Sequence, residues 1–295
     1  MQLKLNLNGS VDPFVSYLKN FAKIRPSLLI EIDTKSKAFV AKTFSEDRAS
    51  IRFSSITFDE CNMSVVSHDG EETLGDNRIK AGILIQLPKL IKIVERFGSD
   101  VDDKGNSNFE IVVDYDLLKN QQTGNSDYVT TSISFNSSLL KMKMDGFRIS
   151  ELKYLSDDIF NNTVFSVQDP VSFEISSSTI ASIIKTSDII KVDSRKDALV
   201  FYVEGKNVYV KDFISKDKAP NFVYKIGELE NAPDYEIKAS IFREKFIDMM
   251  DKTEDNYKVI LGHRPLGNGE YIVDRILFDS LSSSTKVVIS IINEG

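Results

Sequence analysis

Along most of this chain apolar residues recur at every second position, a strand-like rhythm. Four short stretches break it, with apolar residues recurring every third or fourth position instead. The first opens at Asp12-Pro13, an acidic cap followed by proline at the first helical position, where a missing N–H leaves no helical bond unmade. Phe14, Leu18, Phe21 and Ala22 then fall on one face. The second opens at Leu87-Pro88, aligns Leu87, Leu90, Ile91, Val94 and Phe97, and stops at Gly98. The third follows Ser176, Ser177 and Ser178 and aligns Ile180, Ile183 and Ile184. The fourth is expected to be capped by Ser240 and to bury Phe242, Phe246, Ile247 and Met250.

The alternating stretches place strands at 2–7, 28–33, 38–44, 50–58, 79–85, 109–115, 128–135 and 139–144. In the second half they place them at 171–175, 189–192, 199–203, 208–213, 222–228, 235–239, 257–261, 270–278 and 286–292. Glycine and asparagine mark turns at Gly105-Asn106, Gly124-Asn125, Gly205 to Asn207 and Gly267 to Gly269. One motif, a strand, a helix and a few antiparallel strands, is therefore written four times, by pattern and not by identical letters. The stretch 154–170 interrupts it. These patterns predict an α+β fold of two similar domains, residues 1–155 and 171–295, joined by a connector at 156–170.

Composition narrows the class. With 295 residues, 41% hydrophobic and 27% charged, the chain is ordinary for a globular protein and too apolar for disorder. No apolar run reaches the length of a membrane span, the first residues lack the layout of a signal peptide, and the single cysteine, Cys61, excludes a disulfide framework. A membrane-free, cytoplasmic protein is expected. The net charge of −7 argues against nucleic acid unless the charges are segregated. They are. Lys19, Lys23 and Arg25 lie on or just after the first helix, Lys89, Lys92 and Arg96 on the second (interrupted by Glu95), and Lys185 and Lys191 on or near the third. Arg243 and Lys245 lie on the fourth, offset by Glu244, Asp248 and Asp251, while acids gather in loops at 71–72, 100–103, 157–158 and 228–234. Lysine on the solvent face of one amphipathic helix is ordinary. The same bias on several helices of a repeated architecture would add into a stripe suited to phosphates.

Signals for catalysis are weak. His68 and His263 are far apart in the repeat and lack evident acid–base partners. Cys61 has no cysteine or histidine at metal-ligand spacing. The segment from Asp100 matches a calcium loop at Asp102 and Gly105, but has Lys104 and Ile111 where ligands belong. Residues 262–269 lack the Lys-Ser/Thr pair of a phosphate loop. No enzyme activity, metal or cofactor is expected.

Several stretches carry a family resemblance: YLKNFAKI at 17–24, LLIEIDTKSKAFVAKTFSEDRASI at 28–51, and FEISSSTIASIIKTSDIIKV at 173–192. VYVKDF at 208–213, YKIGEL at 224–229 and NYKVIL at 256–261 add to it. They resemble DNA sliding clamps, the polymerase processivity factors of the T-even phage and proliferating cell nuclear antigen (PCNA) type. The resemblance implies a homotrimeric ring of two-domain subunits, helices lining the hole and sheets outside. It implies encirclement of duplex DNA without sequence preference, and docking of a DNA polymerase and a clamp loader. It also makes 63–76 and 120–127 look like insertions. On it, DNA contact falls to Lys19, Lys23, Arg25, Lys89, Lys92, Arg96, Lys185, Lys191, Arg243 and Lys245. The subunit interface falls to Leu139, Leu140, Lys141 and Met142 against Phe222, Val223, Tyr224 and Lys225. A partner-peptide pocket falls to Ile159, Phe160, Val164, Phe165, Ile291 and Ile292. A β-rich structural or assembly protein of a phage particle, with merely solvated basic helices, stays open beside it.

Overall fold

The computed structural model describes residues 1–82, 87–98, 100–101, 108–119, 126–146, 160–161, 168–189, 197–213, 220–233, 236–250, 253–265 and 271–292. It divides into two compact units. Unit 1 is Met1–Thr43 with Phe53–Leu155, and unit 2 is Phe44–Arg52 with Ser156–Gly295.

Unit 1 runs β1 (Gln2–Leu7), α1 (Asp12–Ala22), β2 (Leu29–Asp33), β3 (Ala38–Phe44) and β4 (Ser50–Thr57), whose residues from Phe53 on belong to this unit. It continues with β5 (Met63–Asp69), α2 (Glu71–Leu74), β6 (Ile79–Gly82), α3 (Leu87–Gly98), β7 (Glu110–Lys119), β8 (Ser126–Asn136) and β9 (Lys141–Asp145). The strand order is β4-β3-β2-β6-β8-β7-β1-β5, with β9 added beside β8. The β6–β8 pairing is parallel, and β1, β7, β8 and β9 pair with their neighbours antiparallel.

The reason for these elements is burial of alternate residues. In β1 Leu3, Leu5 and Leu7 are 0–1% exposed while Gln2, Lys4 and Asn6 are half-buried. They meet Leu18 and Phe21 of α1, both 0% exposed, and Val94 of α3, also 0% exposed. Each such side chain contributes roughly 1.5–3 kcal/mol by leaving water. Asp12 is the first helical residue of α1, and its N–H donates to Ser10 Oγ (3.1 Å), so the capping oxygen comes from Ser10.

Unit 2 repeats the plan: β10 (Gln168–Ile175), α4 (Ser177–Ile189), β11 (Ala198–Glu204), β12 (Asn207–Phe213), β13 (Val223–Glu228), β14 (Lys238–Phe242) and α5 (Arg243–Met250). It ends with β15 (Tyr257–Pro265), β16 (Tyr271–Ser280) and β17 (Lys286–Ser290). One sheet runs β13-β12-β11-β14 and the other β10-β15-β16-β17. Ser290 N–H donates to the Ala49 carbonyl (2.8 Å), which ties the Phe44–Arg52 segment beside β17. Ser176 Oγ accepts from Thr179 N–H (3.1 Å) and starts α4.

Three expectations are corrected. Residues 63–76, given no strand or helix by the sequence pattern, form β5, paired along β1, and the short α2. Ser240 does not cap the last helix; it is buried inside β14, and α5 begins at Arg243, so Phe242 ends a strand and is 40% exposed. Ile189 closes α4 at 85% exposed and does not open a strand, and 190–192 lie outside the described residues.

Candidate nucleic-acid interface

In unit 1, α1 and α3 pack side by side. Gly98 passes close to Val11: a Cβ on Gly98 would stand 2.6 Å from Val11 Cβ, so only glycine lets the end of α3 approach the start of α1. With their apolar faces turned inward, both helices leave Lys19, Lys23, Lys89, Lys92 and Arg96 exposed, and Arg25 half-buried just beyond α1. Lys19 Nζ meets Glu95 Oε1 at 2.9 Å across the two helices. Both side chains are largely exposed, so that pair contributes under about 1 kcal/mol and leaves Lys19 able to exchange partners. The arrangement is a helical face on which five long cationic side chains are exposed.

Unit 2 does not repeat it. Arg243 is buried: its Nη2 meets Asp197 Oδ1 at 2.7 Å and its Nη1 donates to the Ser187 carbonyl at 2.8 Å in the last turn of α4. A guanidinium at a helix C-terminus stabilises the unsatisfied carbonyls there, so Arg243 is a structural tie and is withdrawn from the DNA-contact set. Lys245 is also committed. Its ammonium lies 2.9 Å from Asp47 Oδ2, with the lysine side chain 21% exposed. Burial pushes Asp47 upward, but the Ser45 hydroxyl, the Ala49 N–H and Lys245 outweigh it and hold its pKa at about 2. Lys185 remains exposed on α4, near the exposed Asp188, and α5 exposes Glu244. Lys191 lies outside the described residues.

Among the strands with a single partner in the described residues are β9, beside β8, and β13, beside β12. Just before the first, Leu139 (84% exposed) and Leu140 are open to solvent, and within it Lys141 is exposed while Met142 packs partly on the core. On the second, Val223 and Lys225 are exposed, and the Tyr224 hydroxyl is 3.0 Å from Thr186 Oγ1. Phe222 departs from expectation. Its side chain is buried and its N–H donates to Asp212 Oδ1 (3.1 Å), so it anchors β13 from within and offers no surface.

No protein-family model and no curated protein matches this sequence. Solved structures do match in shape. PCNA from Entamoeba histolytica superposes with a TM-score of 0.59 at 14% identity, over 99% of this chain and 100% of that one. A. fulgidus PCNA, in a structure with the C-terminal region of FEN-1 bound, gives 0.60 at 10% identity over 99% of each chain. The H. pylori beta clamp gives 0.62 at 11% identity, covering 98% of this chain and 66% of that one. This chain has the sliding-clamp fold.

Within the clamp fold, the residues named for a partner-peptide pocket are unevenly placed. Ile159, Val164 and Phe165 lie outside the described residues. Phe160 is buried. Ile291 and Ile292 are half-buried, and their N–H groups donate to the Asp274 carbonyl (3.4 Å) and the Ser240 carbonyl (2.7 Å), which pins the strand that leads into the chain end. Among the described residues, no helix is long and apolar enough to cross a membrane.

Proposed function

We propose that this chain is a non-enzymatic DNA sliding clamp subunit that encircles duplex DNA and tethers a replicative DNA polymerase. The observation that carries the reading is the cationic face of α1 and α3: Lys19, Lys23, Lys89, Lys92 and Arg96 stand exposed together in an otherwise acidic protein with the clamp fold. A protein that must travel along DNA cannot hold base edges. It needs flexible cations that trade phosphates and release counterions, and these residues supply them. Lys19 and Arg96 project from last turns and Lys23 caps α1, positions where the helix dipole also favours cations.

On this reading residues 1–155 and 171–295 are the two clamp domains and 156–170 the connector. Three copies close into a ring by pairing the free edge of β9 with the free edge of a neighbour's β13, which satisfies backbone groups that would otherwise invite aggregation. A loader opens that ring. A polymerase tail docks on the apolar residues of the connector and of the last strand's exit, Ile159, Phe160, Val164, Phe165, Ile291 and Ile292.

The test combines native mass with topology. A trimer that is retained on nicked circular DNA after loading, and lost when the circle is cut, is the expected result. A monomer that shows no difference between circular and linear DNA overturns the reading and leaves the structural or assembly role.

A further inference from the structure

The two units share one succession of strands and helices, and they differ around their first strands. In unit 1, β1 is flanked by β7 on one side and β5 on the other. Its counterpart β10 is flanked by β15 on one side and, among the described residues, by no strand on the other. Chain length explains the difference. Residues 58–78 connect β4 to β6 and have room for β5 and α2, whereas only 229–237 connect β13 to β14. Among the described residues the position held by β5 in the first unit is therefore left open in the second, and a cleft of about 870 Å³ runs there, between residues 171–174 of β10 and residues 228–233.

Two features shape that cleft. One end is closed at Gly227, where an added Cβ would lie 2.7 Å from the Phe173 ring, so β13 and β10 touch there through a residue without a side chain. Beyond it the walls part. Three carboxylates line the opening, Glu174, Glu228 and Glu230, against one lining cation, Lys258, the cross-strand neighbour of Glu174. Lys225, outside the cleft, is 3.3 Å from Glu228, and Lys206 donates to the Glu230 backbone carbonyl, which leaves that carboxylate to the opening.

We propose that this cleft is a strand-addition site for an extended, basic segment of a partner protein, which lies antiparallel along β10 as β5 lies along β1. Main-chain bonds to an edge strand provide sequence-tolerant attraction. Alternate lysine or arginine side chains of the segment then face Glu174 and Glu230. The site depends only on unit 2 and stands or falls apart from the ring.

The test uses the full-length protein and a capped hexapeptide of alternating lysine and valine, with an alternating glutamate and valine peptide as control. The lysine peptide is expected to bind, to slow amide exchange within 171–174, and to lose affinity when alternate peptide nitrogens are methylated. Glu174→Gln with Glu230→Gln should weaken it about tenfold at low salt without changing the thermal midpoint by more than a few degrees. Absence of binding overturns the proposal. So does protection on β9, β13 or β5 in place of β10, or equal binding of the glutamate peptide.

Discussion

Arg243 and Lys89 are both cations on helices of the same fold, and burial gives them opposite work. Arg243, 3% exposed and bound to Asp197 and the Ser187 carbonyl, should be a stability residue: Arg243→Ala removes a buried ion pair and lowers the unfolding free energy by about 3 kcal/mol, read from urea denaturation. Lys89 and Lys92 are exposed on α3. Lys89→Ala with Lys92→Ala should leave stability within about 0.5 kcal/mol, yet reduce the slope of log affinity for duplex DNA against log salt by about 2. An unchanged slope removes α3 from the interface. Asp47 carries a pH signature. Its folded pKa of about 2 lies below the ordinary value near 4, so its contribution to stability is complete above about pH 4 and is lost as pH falls through 2. Asp47→Asn should flatten that acid limb in thermal melts between pH 4 and 2. If the limb persists, Asp47 is not its source.

Elements with strong periodicity were legible in the sequence, and those held by distant partners were not. Leu87, Leu90, Ile91, Val94 and Phe97 announced α3 because five large apolar residues on one face have few other uses. β5 was unreadable for the opposite reason. Of Met63–Asp69 only Met63 is buried, so the strand exists through pairing with β1 and through the His68 Nε2 to Tyr115 hydroxyl contact (2.7 Å), not through its own pattern. The pairing of Arg243 and Lys245 was not legible because their partners, Asp197 and Asp47, are remote in sequence. The cleft beside β10 did leave a trace: the shorter connection after β13 shows in the letters once β5 is recognised as a strand. The edges of β9 and β13 yield a directional test. Proline placed in turn at Lys141, Met142 and Lys143 should split into two outcomes by alternate position. Where the N–H faces β8 the sheet is destabilised; where it faces outward the fold survives and native mass falls to that of a monomer. Oligomers that withstand every outward-facing proline place the contact elsewhere.

Over the whole chain, the clamp reading reconciles a net charge of −7 with DNA because function needs a local field, and acids elsewhere keep that field confined to the helical face. Salt should therefore loosen contact between protein and DNA without opening an oligomer built on strand pairing. Gel filtration and DNA retention, followed together from about 50 to 500 mM salt, should part company, and a joint loss would mean that one charged surface serves both. The division of the chain into units has a further consequence. Unit 2 borrows Phe44–Arg52 from the middle of the first half: Ala49 accepts from Ser290 N–H, Asp47 holds Lys245, and Arg52 Nη1 donates to the Met249 carbonyl (2.8 Å) in the last turn of α5. A gene cut after Leu155 would not yield two self-sufficient pieces. The fragment 156–295 should melt early or aggregate, and supplying 1–155 in trans should rescue it, so the chain is a natural candidate for split-protein complementation in which reassembly is reported by the recovery of a cooperative melt.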